Sequence, residues 1–189
     1  MDLLQASHQR LFTLLKERSF EARDVVLASG KRSNFYVDCK QTTLSAEGHL
    51  LVGRTLFAAM IAEEGGRPFA GVGGLTLGAD PIASAVSMTS ALAGRDIPAF
   101  IVRKEAKGHG TGAWIEGVKL IAPGGRVAVV EDVVTTGGSA EKAIIRCREA
   151  GFVVDLVLAL VDREEGGREA LEASGVKLLA LYEKADFFR

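Results

Sequence analysis

The feature that most restricts the fold is an almost unbroken aliphatic run at residues 153–161, Val-Val-Asp-Leu-Val-Leu-Ala-Leu-Val. A strand this apolar must be covered on both faces, as in the middle of a parallel sheet. The flanking chain agrees. Residues 69–73, 97–102, 126–130 and 177–181 read as further short strands. Residues 139–148 and 166–174 read as helices, with Gly151 closing the first. Asp80-Pro81 reads as a helix start, Asp as cap and Pro at the first helical position. Strands alternating with helices at this spacing predict an α/β fold, a central parallel sheet flanked by helices with right-handed crossovers. Upstream, Leu3, Leu4, Leu11, Phe12, Leu14 and Leu15 fall at helical spacing, and residues 25–27 and 35–37 read as short strands. Ser45 can cap a helix through Leu50, Leu51, Leu56, Phe57 and Ile61, which Gly65-Gly66 and Pro68 end. Residues 1–44 stand outside the alternation and predict an N-terminal helix and a small hood. With 189 residues the chain can build its own core, so one domain over residues 1–189 is expected.

A net charge of -1 argues against a chain that coats nucleic acid by bulk charge. No apolar run approaches the roughly 18 residues that span a bilayer. Residues 1–10 carry Asp2, His8 and Arg10 and lack the apolar core of a signal peptide. A cytoplasmic protein with no nucleic-acid or membrane partner is expected. Cys39 and Cys147 sit in no CxxC and near no His at ligand spacing, so two reduced core thiols are expected.

Ligands of such sheets bind beyond the carboxyl ends of the strands, which directs attention to the segments after residues 73, 102, 130 and 161. The strand at 126–130 runs into Glu131-Asp132-Val133-Val134 and then Thr135-Thr136-Gly137-Gly138-Ser139 at a helix start. Two adjacent carboxylates at the end of a buried strand are costly unless they bind something. Small residues let consecutive N–H groups converge into an anion nest, to which the hydroxyls add donors. The combination suits a ribose diol carrying a monophosphate. No GxxxxGK[ST] is present. The glycines at 71, 73 and 74 fail the GxGxxG pattern, which needs glycine where Thr76 stands. The segment resembles the phosphoribosyl-diphosphate signature of the type I phosphoribosyltransferases. The resemblance implies that Glu131 and Asp132 hold ribose hydroxyls and that residues 133–139 cradle the 5-phosphate.

Residues 103–112, Arg-Lys-Glu-Ala-Lys-Gly-His-Gly-Thr-Gly, hold three fixed cations and a histidine, with glycines at alternate positions. A solvated β-hairpin is the plain reading of such a run. Beside a phosphate nest it also suits a closing cationic loop that neutralises a departing diphosphate, with Lys107 or His109 supplying a proton. The Arg-Lys-x-x-Lys-x-His-Gly order is similar to the catalytic loop of orotate phosphoribosyltransferases. That likeness implies a homodimer whose loop is shared across the interface. Arg103 and His109 match residues given to the neighbouring site, with Lys104 and Lys107 as the lysine counterparts. Trp114 reads as a packing anchor, and His8 and His49 as helix residues.

Arg163, after the last buried strand, can grip a carboxylate with two parallel hydrogen bonds, or pair with Glu164 or Glu165. The resemblance implies that Arg163 and Thr135 contact orotate and that Tyr36 and Val37, after Ser29-Gly30, cover its ring. Some relatives carry a lysine where this chain has Ala28 and a Tyr-Lys pair where it has residues 73–80. Asp80 in that stretch is either a helix cap or a metal-water ligand. The expected activity is transfer of ribose 5-phosphate from 5-phosphoribosyl 1-diphosphate (PRPP) to orotate. Mg2+ would be carried by the diphosphate and the ribose hydroxyls, without direct protein ligands. The alternatives are a purine phosphoribosyltransferase and a non-catalytic phosphoribosyl-diphosphate sensor.

Overall fold

The structure, a computed structural model, describes residues 3–23, 25–26, 32–106 and 113–189. Helix α1 (Leu3–Arg18) is followed by the short strands β1 (Phe20–Glu21), β2 (Val25–Val26), β3 (Arg32–Ser33) and β4 (Tyr36–Val37). One turn, α2 (Lys40–Thr43), leads into α3 (Ala46–Ala62), which Ser45 caps as expected by accepting from the Gly48 N–H. Then come β5 (Gly71–Leu75), α4 (Ala79–Leu92), β6 (Ala99–Val102), β7 (Ile115–Glu116), β8 (Arg126–Val134), α5 (Gly138–Glu149), β9 (Val153–Asp162), α6 (Gly167–Ala173) and β10 (Lys177–Glu183).

Among the described residues the main sheet has the order β10-β9-β8-β5-β6-β7, parallel except for β7. The side chains of β8 and β9 alternate between two apolar layers. Ala128, Val130, Leu156, Leu158 and Leu160 meet α1, α3 and α4, and Val127, Val129, Val157 and Ala159 meet α5 and α6. This double burial is why residues 153–161 tolerate so little polarity. Asp155, the exception in that run, accepts from the Arg126 Nε at 2.8 Å. The same guanidinium donates to the carbonyls of Glu63, Glu64 and Arg67, placing a cation at the negative end of α3. Cys39 and Cys147 are buried and free. No helix among the described residues is long and apolar enough to cross a membrane.

Two expectations need correcting. The first strand of the alternation is residues 71–75, not 69–73. Gly73 and Gly74 belong to the ladder because β5 pairs with β6 as far as Leu75↔Val102. Their lack of a side chain permits it, since a Cβ on Gly73 would lie 2.2 Å from the Phe100 carbonyl oxygen. Asp80 is no cap. Gly78 occupies that place, and Asp80, inside the first turn, accepts from the Thr76 hydroxyl at 2.6 Å. The N-terminal segment is divided: α1 buries Leu11, Leu14 and Leu15 in the main core, and two antiparallel pairs, β1-β4 and β2-β3, make the small hood.

An aromatic cluster seats the hood on the C-terminal turn. Phe35, fully buried, lies 5.2 Å from Phe20 and 5.3 Å from Phe187 between ring centroids. Replacing Phe35 by Ala removes a buried ring from a packed cluster and should cost about 3–5 kcal/mol, read as a lower midpoint in urea unfolding. An unchanged midpoint would show that the hood does not share the main core's stability.

Candidate active site

β8 does not stop before the acidic pair. It runs on to Val134 because β9 keeps offering partners, Glu131↔Ala159, Val133↔Val161 and Val134↔Asp162. Both acids are therefore held by a sheet ladder, not by a loop. Glu131 is 6% exposed, and its Oε2 is buried with no hydrogen-bond partner. Burial raises the Glu131 pKa well above its ordinary value, and the neighbouring Asp132 charge adds to the effect. Asp132 is half-buried, and its Oδ1 accepts from the Val133 N–H at 2.9 Å. Across from it, a Cβ on Gly78 would fall 2.5 Å from Asp132 Oδ1. Only glycine lets the segment after β5 press this closely on the carboxylate.

Two cavities flank the pair. The first, about 250 Å³, is lined by Glu131, residues 133–140 and Lys142. Gly137 makes the turn into α5 with φ 85°, a left-handed conformation that favours glycine. The first N–H groups of α5 lack partners within the helix and meet the positive end of its dipole. Val133, Val134, Thr135, Thr136, Gly137, Gly138 and Ser139 thus come together around one cavity at the start of α5. Lys142, one turn into α5, was missed. Its only signal is its spacing three residues after Ser139.

The second cavity, about 270 Å³, is lined by Lys40, residues 75–78, Lys104, Glu131, Asp132 and Ser139. Glu131 and Ser139 are thus common to both cavities. Lys104 faces the acids. Arg103 instead bonds Glu116 through Nη1 at 3.1 Å and borders an adjoining cavity with Thr76 and Asp80. The β6-β7 pairing, Ile101↔Glu116 and Val102↔Ile115, flanks the basic segment as a hairpin would. Lys107 and His109 lie outside the described residues, as does Ala28. Trp114 packs against the second core layer with the Arg146 guanidinium 3.5 Å over its ring. His8 and His49 sit on α1 and α3, against the carbonyls of Leu181 and Thr43.

The ends of β8 and β9 are tied by the Arg163 N–H donating to the Val134 carbonyl at 2.9 Å. Arg163 and Thr135 therefore leave the sheet side by side. Arg163 is 8% exposed, lies 3.0 Å from Glu165 and donates to the Phe35 carbonyl at 3.2 Å. The pairing with a neighbouring glutamate and the approach to the hood are both present. Tyr36 and Val37 follow Phe35 on β4 and are half-buried, with Arg23 stacked 4.2 Å from the Tyr36 ring.

A mostly parallel sheet whose central strand carries two acids into an anion nest defines a phosphoribosyltransferase. The yeast Saccharomyces cerevisiae adenine phosphoribosyltransferase has this fold at TM-score 0.70, over 94% of this chain and 99% of that one, with 15% identity. More specific likeness is found elsewhere. The chain is 51% identical over 183 residues to the orotate phosphoribosyltransferase of Sorangium cellulosum, covering 96% of this chain and 93% of that protein. The PRPP complex of the Mycobacterium tuberculosis H37Rv orotate phosphoribosyltransferase superposes with TM-score 0.76 and 36% identity, over 97% and 99% of the two chains. The chain belongs to the orotate phosphoribosyltransferase family. No protein-family model matches it.

The buried carboxyl predicts a pH signature in the ligand-free protein. Below its ordinary value of 4.5, Glu131 is protonated in the folded and unfolded chains alike. Above it the unfolded chain releases the proton and the folded chain keeps it, so stability falls as pH rises through the window up to the raised value. Glu131→Gln cannot ionise and should lose this slope. Urea midpoints at about pH 5 and about pH 8 should differ more for the wild type, by roughly 1 kcal/mol or more. Equal slopes would contradict the burial of a protonated carboxyl.

Proposed function

We propose that this chain transfers the 5-phosphoribosyl group of PRPP to orotate, giving orotidine 5′-monophosphate and diphosphate in pyrimidine biosynthesis. One observation carries the reading: Glu131 lines both the cavity at the start of α5 and a second cavity that holds Asp132, Lys40 and Lys104. A ribose laid over Glu131 and Asp132 places its 5-phosphate in the nest and its diphosphate beside Lys104. Arg163 leaves the sheet beside Thr135 and bonds the Phe35 carbonyl, which runs into Tyr36 and Val37; we assign the base to these residues. Arg163 can take a planar carboxylate in two parallel hydrogen bonds, the group that sets orotate apart from other pyrimidines.

In the reaction the bond from ribose C1 to the diphosphate oxygen breaks, and a bond from C1 to the orotate ring nitrogen forms. The nitrogen's proton leaves, and the diphosphate takes the electron pair. Positive charge grows on the ribose near the acids, and negative charge grows on the leaving group. Lys104, with Lys107 and His109, stabilises the latter without a covalent nucleophile. Lys107 or His109 also supplies a proton to the departing oxygen. Glu131 and Asp132 accept from the ribose hydroxyls, which gives the buried Oε2 of Glu131 a partner.

Glu131 and Asp132 line the second cavity together with Lys40 and Lys104, a set with too few carboxylates to hold a metal alone and one that suits Mg2+ carried mainly by substrate oxygens and water. Bound there, Mg2+ would neutralise diphosphate charge. The protein acts as a cytoplasmic homodimer whose loop, residues 103–112, is shared across the interface, with Arg103 and His109 given to the neighbouring site and Lys104 kept at its own. The pairing of Arg103 with Glu116, away from the acids, supports that division of labour with Lys104.

Orotate should be consumed with PRPP and Mg2+, and chelation should stop the reaction. Adenine and hypoxanthine, assayed in parallel, should be left untouched. Turnover of a purine without orotate would establish the purine enzyme instead, and PRPP binding without turnover of any base would indicate a sensor. Loop sharing has its own measurement. Lys107→Ala and Asp132→Asn proteins should each be inactive, and mixing them should restore up to roughly a quarter of the wild-type rate through hybrid dimers. With subunit exchange verified, no recovery would mean that each loop serves its own site.

A further inference from the structure

The second cavity contains a cation that the sequence patterns did not single out. Lys40 lines it together with Lys104, the segment after β5 and both acids of β8. Its surroundings hold it there. Asp38 Oδ1 lies 2.6 Å from the Lys40 ammonium and also accepts the Lys40 backbone N–H at 3.2 Å. Asp38 Oδ2 accepts from Gln41 Nε2 at 3.1 Å. Between the two charges Cys39 points the other way, fully buried, with its Sγ donating to the Asp132 carbonyl at 3.8 Å. Thr42, fully buried, bonds Ser19 at 2.8 Å. The stretch 38–42 is thereby docked against β8, so the position of Lys40 is set relative to Asp132 by framework contacts. Lys104, the other lysine of this cavity, stands at the start of the basic segment instead.

We propose that Lys40 binds the diphosphate of PRPP and of the released product, with Asp38 as its positioning residue. The inference rests on the transfer reaction proposed above. An ammonium has three donors. Asp38 engages one, and the others are left for the cavity that Lys40 lines with residues 75–78, Lys104, Ser139 and the acids. Asp38 and Asp132 keep the ammonium charged, and the Asp38 hydrogen bond is the larger influence. Asp80, on the far side of Lys40 in an adjoining cavity, adds a further negative charge. A point charge on a flexible stem suits an anion whose oxygens rearrange as the bond to ribose breaks. Lys104 and Lys40 then grip the diphosphate from two different elements of the fold.

Calorimetric titration separates this role from a structural one, because the two cavities take different ligands. With Mg2+ present, inorganic diphosphate should bind Lys40→Ala about tenfold or more weakly than wild type, as expected for loss of one charge-assisted contact. Ribose 5-phosphate, which needs only the nest and the acids, should bind within about twofold of wild type. Lys40→Arg should retain most of the diphosphate affinity, and Asp38→Asn should fall between. The KM for PRPP should follow the diphosphate affinity, with the KM for orotate little changed. Lys40 is part-exposed, with 43% of its side chain accessible, so Lys40→Ala is expected to melt near wild type. If it does not, Lys40→Gln replaces it in the same titrations. Unchanged diphosphate binding would overturn the proposal, and so would an equal loss for both ligands. Wild-type protein that binds diphosphate through Lys40 but fails to turn over orotate would sink the reaction and leave this site standing.

Discussion

The arrangement depends on one expensive placement, a carboxyl at residue 131 inside a hydrogen-bonded strand. An ionised carboxylate there would lack solvent, with a second acid one residue away. Burial and the neighbouring Asp132 push the Glu131 pKa up, toward the neutral form, and one of its oxygens is left without a hydrogen-bond partner. Everything around it makes that placement rigid. β9 pairs with β8 beyond the acids, Arg126 fastens the start of β8 to the end of α3, and Gly78 allows the neighbouring segment to abut Asp132. A buried polar atom without a partner is a reservoir of binding energy. A hydroxyl that reaches it gains a hydrogen bond and ends a desolvation cost that the folded chain already bears.

That reservoir also sorts charge. A Glu131 carboxyl pushed toward its neutral form lowers the negative charge that the acidic pair presents to ligands. Anionic groups can then be bound on both sides of the pair against less repulsion. Backbone N–H groups serve on one side, where a fixed phosphate needs direction. Lysines serve on the other, where a leaving group changes its charge and position. The ribose between them is neutral and meets the acids with hydroxyls. The order along the site follows the order of chemical groups in PRPP.

Local patterns in the chain made much of this legible. The run at 153–161 announced a strand covered on both faces, and the Thr135–Ser139 cluster announced an anion nest, because both follow from composition over a few residues. What escaped was set by contacts distant in sequence. The acids belong to β8 because of their register with β9, some 28 residues later. The strand read as 69–73 runs on to Leu75 through pairing with β6, and Gly73 and Gly74 fit there because Phe100 and Val130 leave no room for a Cβ. Asp80 beside Pro81 had the form of a cap, but Gly78 already starts the helix, and Thr76 claims the carboxylate. Lys40 lacked a motif altogether. Its meaning depends on Cys39 reaching Asp132, a contact spanning 93 positions.

The choice of base follows a similar logic. The sheet and nest cannot select it, since an adenine phosphoribosyltransferase with 15% identity shares the fold. Selection has to come from groups that differ between such proteins, at the one side of the ribose not occupied by phosphate. Arg163 is the candidate proposed above, and it is firmly constrained. Its N–H is bound to the end of β8, and its guanidinium reaches both Glu165 and the Phe35 carbonyl of the hood. A guanidinium held by a carboxylate and a carbonyl is already arranged to receive oxygen acceptors in its plane, so a ligand carboxylate can replace Glu165 with little reorganisation. Because Phe35 also seats the hood through its ring, the backbone that Arg163 touches continues directly into Tyr36 and Val37. In the proposed reaction, recognition of an acidic base by Arg163 would thus be coupled to the placement of Tyr36 and Val37.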